Sequence, residues 1–364
     1  MSEATGPAKL GELRERIDQI DATLQALITE RAEIAREVGR TKGSNLKSID
    51  LFRPDREASV LRQVAERNNG PLSNEEMLRL FREIMSACLA QQNPLKVAFL
   101  GPEGTFSQAA ALKHFGHSIH SLPLNSIEEV FADVENGHAD FGVVPVENST
   151  EGAVNNTLDM FLISPLKICG ELEIPIHHNL LSSAQDLSAI ERVYSHRQSL
   201  AQCRQWLREN LPDAEKIPLA SNGEAARRVR GRPDAAAIAS DAAASIYDLN
   251  LLHACIEDQQ DNTTRFLVVG RNLLPPSGQD KTSLLISAED RPGLLYHLLD
   301  PLAKAGVSMT RIESRPSRQE KWGYVFFLDV LGHKESDPLL SALGELKDMS
   351  SFYKVLGSYP VAIT

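Results

Sequence analysis

An arginine set in the middle of a hydrophobic helix seam constrains this chain more than any other feature. Leu10, Leu13, Ile17, Ile20, Leu24 and Leu27 recur at spacings of three and four, and the seam resumes at Ile34 and Val38. Arg31 falls in step with them. A guanidinium cannot shed its charge, so a packing seam retains one only where an anion meets it. The seam is therefore a candidate anion site. The periodic stretch runs from about Leu10 to Lys42, roughly 50 Å at about 1.5 Å per residue, and a helix of that length needs a partner along all of it. Pro54 opens a second helix that ends near Asn68-Asn69-Gly70, and Ser73 with Glu76 forms a capping box for a third. Two short helices cannot cover the long one on every side, so the pattern predicts an interlocked dimer of helices.

Other polar groups join Arg31. Lys42 follows it by eleven residues, nearly three whole turns at about 100° per residue, so both project from one face. Gln92 extends the Met77, Phe81, Ile84, Cys88 stripe of the third helix by one turn. Arg14, seventeen residues before Arg31, points roughly 100° away and suits the partner's pocket instead. A simpler reading is that Arg31 snorkels from a dimerisation helix. The segments L-R-E-R-I-D-Q-I-D, T-E-R-A-E-I-A-R-E-V-G and P-D-R-E resemble the all-helical chorismate mutase family. The resemblance implies that Arg14 of one copy and Arg31 of the other clamp substrate carboxylates. It also implies that Lys42 and Gln92 donate to the ether oxygen, with Arg56 and Glu57 as the second-helix pair and Glu57 at the substrate hydroxyl. Arg53 and Cys88 depart from the family pattern.

From Lys96 the grammar becomes α/β, with short apolar runs such as Val97 to Leu100 and Phe141 to Val144 followed by helical patterns. Two lobes are expected, at about 96–172 and 176–254, with a return through Phe266 to Val269 into the first, and a ligand cleft between them. In G-P-E-G-T-F-S, residues 101–107, the amides and the Thr105 and Ser107 hydroxyls can receive a carboxylate at a helix start. Three further polar clusters lie at strand ends: V-P-V-E-N-S-T-E-G (144–152), Y-S-H-R-Q-S-L-A-Q-C (194–203) and D-N-T-T-R-F (261–266). Together they resemble prephenate dehydratase, whose fold is the two-lobed type II periplasmic-binding-protein arrangement. That resemblance implies Thr264 as the principal catalytic hydroxyl, with Asn148, Ser195, Gln202 and Glu147 around it. Glu147 is then the ultimate proton source and Arg265 a carboxylate partner. Arg197 departs from the usual proline.

A polar linker with Pro275, Pro276, Ser277 and Gly278 leads to a third unit whose βαββαβ pattern predicts a ferredoxin-like sandwich. R-P-G-L-L-Y (291–296) and E-S-R-P (313–316) resemble the phenylalanine-binding motifs of the ACT domain. They imply ligand contacts at Gly293, Leu294, Leu295 and Tyr296, and at Glu313, Ser314, Arg315 and Pro316. Leu294 stands where alanine is usual.

The expected organisation is thus multidomain: an all-α mutase unit at 1–92 forming an intertwined dimer, a two-lobed α/β dehydratase at 96–272, and an α+β ACT unit at 282–360. The first lobe of the dehydratase takes about 96–172 plus 255–272 and the second takes 176–254. A net charge of −11 argues against nucleic acid or an anionic membrane as partner. The absence of a long apolar run or a signal-type start points to a soluble cytoplasmic protein. The four cysteines are far apart, which predicts reduced thiols, mostly buried. His114, His117 and His120 read as exposed, and neither a metal nor a cofactor is expected. The implied function is conversion of chorismate to prephenate and of prephenate to phenylpyruvate, inhibited by L-phenylalanine, in a homodimer open to further pairing into tetramers. The competing readings are a non-catalytic amino-acid sensor dimerised by its helices, and a dehydratase with a decayed mutase segment.

Overall fold

The computed structural model describes residues 6–42, 52–288, 291–316 and 324–363. The first helix, α1 (Gly6–Lys42), is continuous. Helix α2 (Pro54–Arg67) carries Pro54 in its first turn, where no backbone donor is lost. Helix α3 (Asn74–Ala90) begins with the expected capping box: Glu76 N donates to Ser73 Oγ at 3.2 Å and Ser73 N to Glu76 Oε2 at 3.2 Å. Leu61, Val64 and Leu78 bury the contact between α2 and α3. Helix α1 rests on α3 near its C-terminal end, where Ala32, Ala35 and Gly39 are half-buried. Its apolar seam from Leu10 to Val38 stays 41–56% exposed in the single chain.

The α/β region has two sheets. The first runs β2 (His120–Leu124), β1 (Lys96–Leu100), β3 (Phe141–Asn148), β11 (Thr263–Gly270), β5 (Lys167–Pro175), with the two-residue β4 (Gly152–Ala153) paired to β3. One face packs on α4 (Phe106–Phe115), with Phe52 joining its core. The other packs on α5 (Ile127–Glu135), on α6 (Asn155–Ile163) and on the C-terminal unit. The second sheet runs β10 (Asn250–His253), β6 (Asn179–Ser182), β9 (Ala235–Ala239), β7 (Arg192–His196), β8 (Glu215–Leu219). Helices α7 (Arg197–Gln202), α8 (Arg204–Asn210), α9 (Asn222–Val229) and α10 (Asp241–Tyr247) belong to this lobe. The chain crosses between lobes at 176–178 and at 254–262. The crossings are hydrogen-bonded to each other, Ile176 N to Asn262 O and Ile256 N to His178 O, each at 2.8 Å.

The C-terminal unit is β12 (Asp280–Ser287), α11 (Leu294–Lys304), β13 (Met309–Pro316), β14 (Tyr324–Leu331), α12 (Leu339–Met349) and β15 (Phe352–Pro360). Its antiparallel sheet has the order β13-β14-β12-β15. Both helices cover one face; Leu285, Val325, Phe327 and Leu356 on the other join the core of the first lobe. Contact is close enough that a Cβ at Gly357 would lie 2.2 Å from the Ile168 carbonyl oxygen.

A buried charge knot spans this junction. Arg265 donates to Glu171 Oε2 through Nε (2.9 Å) and Nη2 (2.6 Å), and to Asp329 Oδ2 through Nη1 (2.7 Å). Lys281 Nζ donates to Glu171 Oε1 at 2.5 Å and Ser283 Oγ to Asp329 Oδ1 at 2.5 Å. Burial by itself would lower the Arg265 pKa, but Asp329, Tyr359 and Glu171 raise it well above its ordinary value. Removing one member strands the others' charge in a dry interface. Arg265→Ala should therefore cost about 3–5 kcal/mol of unfolding free energy, measurable by urea denaturation; a loss below about 1 kcal/mol, the level of exposed pairs, would show that the knot is solvated.

Candidate functional site

The cleft between the lobes is a cavity of about 410 Å³. Strand period and one bulge decide which side chains enter it. Asn148 pairs with Thr264 and Pro145 with Phe266, with a register shift between Arg265 and Phe266, and all four residues line the cleft. The intervening Glu147 and Arg265 pair with each other in register and project to the opposite face, against the C-terminal unit.

Asn148 Nδ2 donates to Thr264 Oγ1 at 2.8 Å and to Asn262 Oδ1 at 2.7 Å. Its Oδ1 accepts from the Thr150 and Glu151 amides at 3.0 Å, which folds the following turn. Because Thr264 Oγ accepts from Asn148, its own hydroxyl proton is left to donate. Asn262 Nδ2 donates to Gln202 Oε1 (3.2 Å), which also meets His178 Nε2 at 2.7 Å. Gln202 and Gln198 approach the Glu151 carboxylate at 3.5 and 3.3 Å. Burial lowers the His178 pKa, while its bond to Gln202 and the Glu257 charge oppose the shift. The ring is thus a neutral donor in this network.

Asn222 organises the other wall. Its Oδ1 accepts from Ser195 Oγ (2.9 Å), Ser199 Oγ (3.0 Å) and His196 N (3.0 Å). Contacts across the lobes close one end: Ser240 Oγ donates to Gly104 O at 2.9 Å and Tyr247 OH to Glu103 O at 2.8 Å. Ser107 is buried and lines the cleft.

Several expectations need correction. Glu147 lies outside the cleft, with Oε2 2.8 Å from Arg311 Nε; that atom sits off the N–H line, so the contact is an ion pair and not a directed hydrogen bond. Glu151 is the acid that lines the cleft. Arg265 belongs to the knot described above, and no Lys or Arg lines the cleft among the described residues. Ser195 is fully buried behind Asn222 and does not reach the cavity. Thr105 lines the cleft as expected, with its hydroxyl engaged locally: it donates to Leu100 O and Pro102 O and accepts from Gln108 N as the cap of α4. The sequence reading missed His178 and Asn222, and gave no role to Glu151, Ser199 and Asn262 although they lie within its three polar clusters. The string S-N-G-E at 221–224 carried a helix-start signal for Asn222, but nothing local tied it to the cleft.

In the helical unit, Arg14, Arg31 and Arg56 are exposed in the single chain. Gln92 Nε2 donates to Ala35 O at 2.7 Å, close against Gly39 on α1. The Lys42 side chain lies outside the described residues. Glu57 faces the junction of α2 with the first lobe, in a cavity of about 80 Å³ with Arg82, His114 and residues 360–363; Arg31 and Gln92 do not line it. Burial raises its pKa to about 7, opposed by Arg82. Burial, then Arg82, lowers that of His114 to about 3, so this histidine is neither exposed nor charged.

In the C-terminal unit Gly293 takes φ +79° at the start of α11, a conformation that favours glycine. Leu294 is buried in the domain core, whereas Leu295 and Tyr296 are exposed. Glu313, Ser314, Arg315 and Pro316 lie on β13, an edge strand. Arg315 is already engaged: Nη1 donates to Asp159 Oδ1 (2.6 Å) and Asn155 O (2.9 Å) of α6.

A cleft of hydroxyls, amides and one carboxylate, joined to a helical module with an exposed apolar seam that carries Arg31 and to a ferredoxin-like module, defines a multidomain enzyme acting on small organic anions. Residues 13–93 match chorismate mutase type II, 97–273 match prephenate dehydratase and 282–348 match the ACT domain. The chain is 52% identical to the bifunctional chorismate mutase/prephenate dehydratase of Pseudomonas aeruginosa, over 98% of each chain. Among solved structures it is similar to the prephenate dehydratase of Arthrobacter aurescens in complex with L-Phe (36% identity, TM-score 0.68, 73% of this chain and 90% of that one). It is likewise similar to GqqA, described as a novel type of quorum quenching acylase (33% identity, TM-score 0.68, 73% and 98%). The chain belongs to the bifunctional chorismate mutase/prephenate dehydratase family.

The Glu57 pKa has a measurable consequence. A carboxyl whose folded pKa exceeds its unfolded value holds its proton more tightly when folded, so its contribution to stability falls as pH rises from about 4.5 to about 7. His114 acts in the opposite sense between about 3 and 6.5, so the difference between proteins is the clean quantity. Glu57→Gln should gain stability relative to wild type from pH 5 to pH 8 by on the order of 3 kcal/mol. Urea titrations at the two pH values check this, and a pH-independent difference would refute it.

Proposed function

We infer that this protein rearranges chorismate to prephenate in its helical unit and converts prephenate to phenylpyruvate in the cleft, under feedback by L-phenylalanine. The observation that carries the second step is the Asn148–Thr264 hydrogen bond, which aims a hydroxyl proton into the cavity. Prephenate loses its ring carboxylate as carbon dioxide, and the electrons of that bond aromatise the ring. The ring C–OH bond breaks in concert, so the departing hydroxide needs a proton to leave as water. Thr264 donates a hydrogen bond to that oxygen. Glu151, linked through Gln202, Asn262 and Asn148, takes the proton-supplying role expected of Glu147. The lack of a lining cation suits decarboxylation, since a tight ion pair would stabilise the carboxylate that must be lost. The side-chain carboxylate is received by amides at the start of α4, beside Ser107.

The mutase step needs no base or nucleophile, only a dicarboxylate held in a chair-like shape with donors at its ether oxygen. The exposed seam supports a homodimer in which α1 packs on its partner and brings Arg14 of one copy to Arg31, Lys42 and Gln92 of the other. Gln92 already lies against α1, one and two turns beyond Arg31. Burying the seam contributes on the order of 10 kcal/mol gross per helix. Co-expressed Arg14→Ala and Arg31→Ala chains, each inactive alone, should regain about a quarter of wild-type mutase activity, because half the dimers are mixed and each keeps one intact site. No recovery would mean that each site is built from one chain.

L-phenylalanine binds at R-P-G-L-L-Y and E-S-R-P, between two C-terminal units. Two contacts support transmission to the cleft: Arg311 to Glu147, the neighbour of Asn148, and Arg315 to the first turns of α6. The protein acts in the cytoplasm; among the described residues no helix is long and apolar enough to cross a membrane. A single time course from chorismate tests both activities, with prephenate rising first and phenylpyruvate following. Thr264→Ala and Glu151→Gln should each lower dehydratase kcat by about 10²-fold or more and leave chorismate loss intact, while Glu147→Gln retains most turnover. Prephenate that accumulates unchanged in the wild type would remove the dehydratase, and unconsumed chorismate the mutase.

A further inference from the structure

The two crossings between lobes hold a donor set that the chemistry of the cleft does not use. His177 on the first crossing and Cys255 and Glu257 on the second bring an imidazole nitrogen, a thiol sulfur and a carboxylate oxygen within 4.8 Å of one another. Hydrogen bonds hold the second crossing against the first. Ile256, between the two ligands of the second crossing, is fully buried and donates its N–H to His178 O at 2.8 Å. The Cys255 N–H donates to Asn179 Oδ1 at 3.1 Å, and the His178 N–H to Glu257 Oε2 at 2.8 Å.

Two features exceed what a surface ion pair requires. The Glu257 side chain is only 1% exposed, and its sole ionic partner among the described residues is His177, at 2.9 Å, with no Lys or Arg beside it. A buried carboxylate calls for a stronger counter-charge than a half-exposed imidazole. Cys255 takes φ +51°, a conformation costly for a residue with a Cβ, and it is the one exposed cysteine.

We propose that His177, Cys255 and Glu257 bind a divalent cation of the zinc class. Nitrogen, thiolate sulfur and carboxylate oxygen are the ligands that zinc accepts in tetrahedral sites, at about 2.0–2.1, 2.3 and 2.0–2.2 Å. Those lengths put donors about 3.3–3.7 Å apart, which rotamer adjustments of about 1 Å reach from the present positions. Glu257 Oε1 now meets His177 Nδ1 at 2.9 Å and is held by no backbone amide, so the cation takes the place of that contact, and a water completes the fourth position. Binding exchanges the thiol proton for the cation. The cation ties one crossing to the other, beside His178 of the cleft wall, and so restrains movement of the lobes.

Titration of the full-length protein with Co²⁺, followed by absorption, tests the site independently of either catalytic activity. One equivalent should bind with a thiolate-to-cobalt charge-transfer band, and Zn²⁺ should displace it. Cys255→Ser should abolish the band, and His177→Gln should weaken binding by about tenfold or more. The wild-type titration alone can overturn the proposal, by showing no band at stoichiometric metal. A band that survives Cys255→Ser overturns it equally, since the thiolate would then belong to another cysteine.

Discussion

Strand β11 works on both of its faces, and the arrangement of the whole chain follows from how those faces are divided. Thr264 and Phe266 line the cleft, whereas Arg265 between them enters the charge knot beneath the C-terminal sheet. A strand alternates its side chains, so consecutive residues of one short motif are committed to different tasks. Burial of Arg265 with Glu171, Asp329 and Lys281 locks the strand from below. The Thr264 hydroxyl above it is held by Asn148 Nδ2 at 2.8 Å.

The same division governs β3. Asn148 reaches Thr264 from the cleft face, while Glu147 meets Arg311 of the C-terminal unit. Strand β13 therefore touches the polypeptide on either side of the Asn148 turn, at Glu147 and, through Arg315, at Asn155 and Asp159. Movement of that edge strand cannot leave Asn148 undisturbed, because the two arginines hold segments that begin and end the turn. This gives the regulatory reading a route made of named contacts, in place of proximity alone.

The sequence revealed local signals faithfully and cross-chain ones poorly. The long helix, the capping box at Ser73 and Glu76 and the βαββαβ order were legible because periodicity and capping act within a few residues. Glu147 and Arg265 fall on the face opposite Asn148 and Thr264 by simple strand alternation, in the continuous register Thr264–Asn148 and Arg265–Glu147. Each sits beside a residue that does line the cleft, so a motif read as one unit carries its inactive neighbours along. Asn222 and Asn262 lack a local signal for a related reason: Asn222 meets Ser195, His196 and Ser199 only when β7 and α9 come together, and Asn262 meets Asn148 and Gln202 only where the second crossing joins the lobes. Glu57 follows the pattern of a free helical module, whereas here α2 lies on α3 and β15 and its Glu57 faces a cavity shared with the first lobe.

The cleft and the knot also show one physical principle used with opposite signs. In the knot beneath the sheet, Arg265 and Lys281 are hydrogen-bonded to Glu171 and Asp329, and that makes the junction rigid. Above it, among the described residues, the cavity offers hydroxyls, amides and neutral imidazole but no Lys or Arg. A substrate whose reaction discards a carboxylate gains from weak solvation of that group and strong donation to the departing oxygen. On the proposed mechanism, holding cations on the lower face matters as much as placing Thr264 on the upper one.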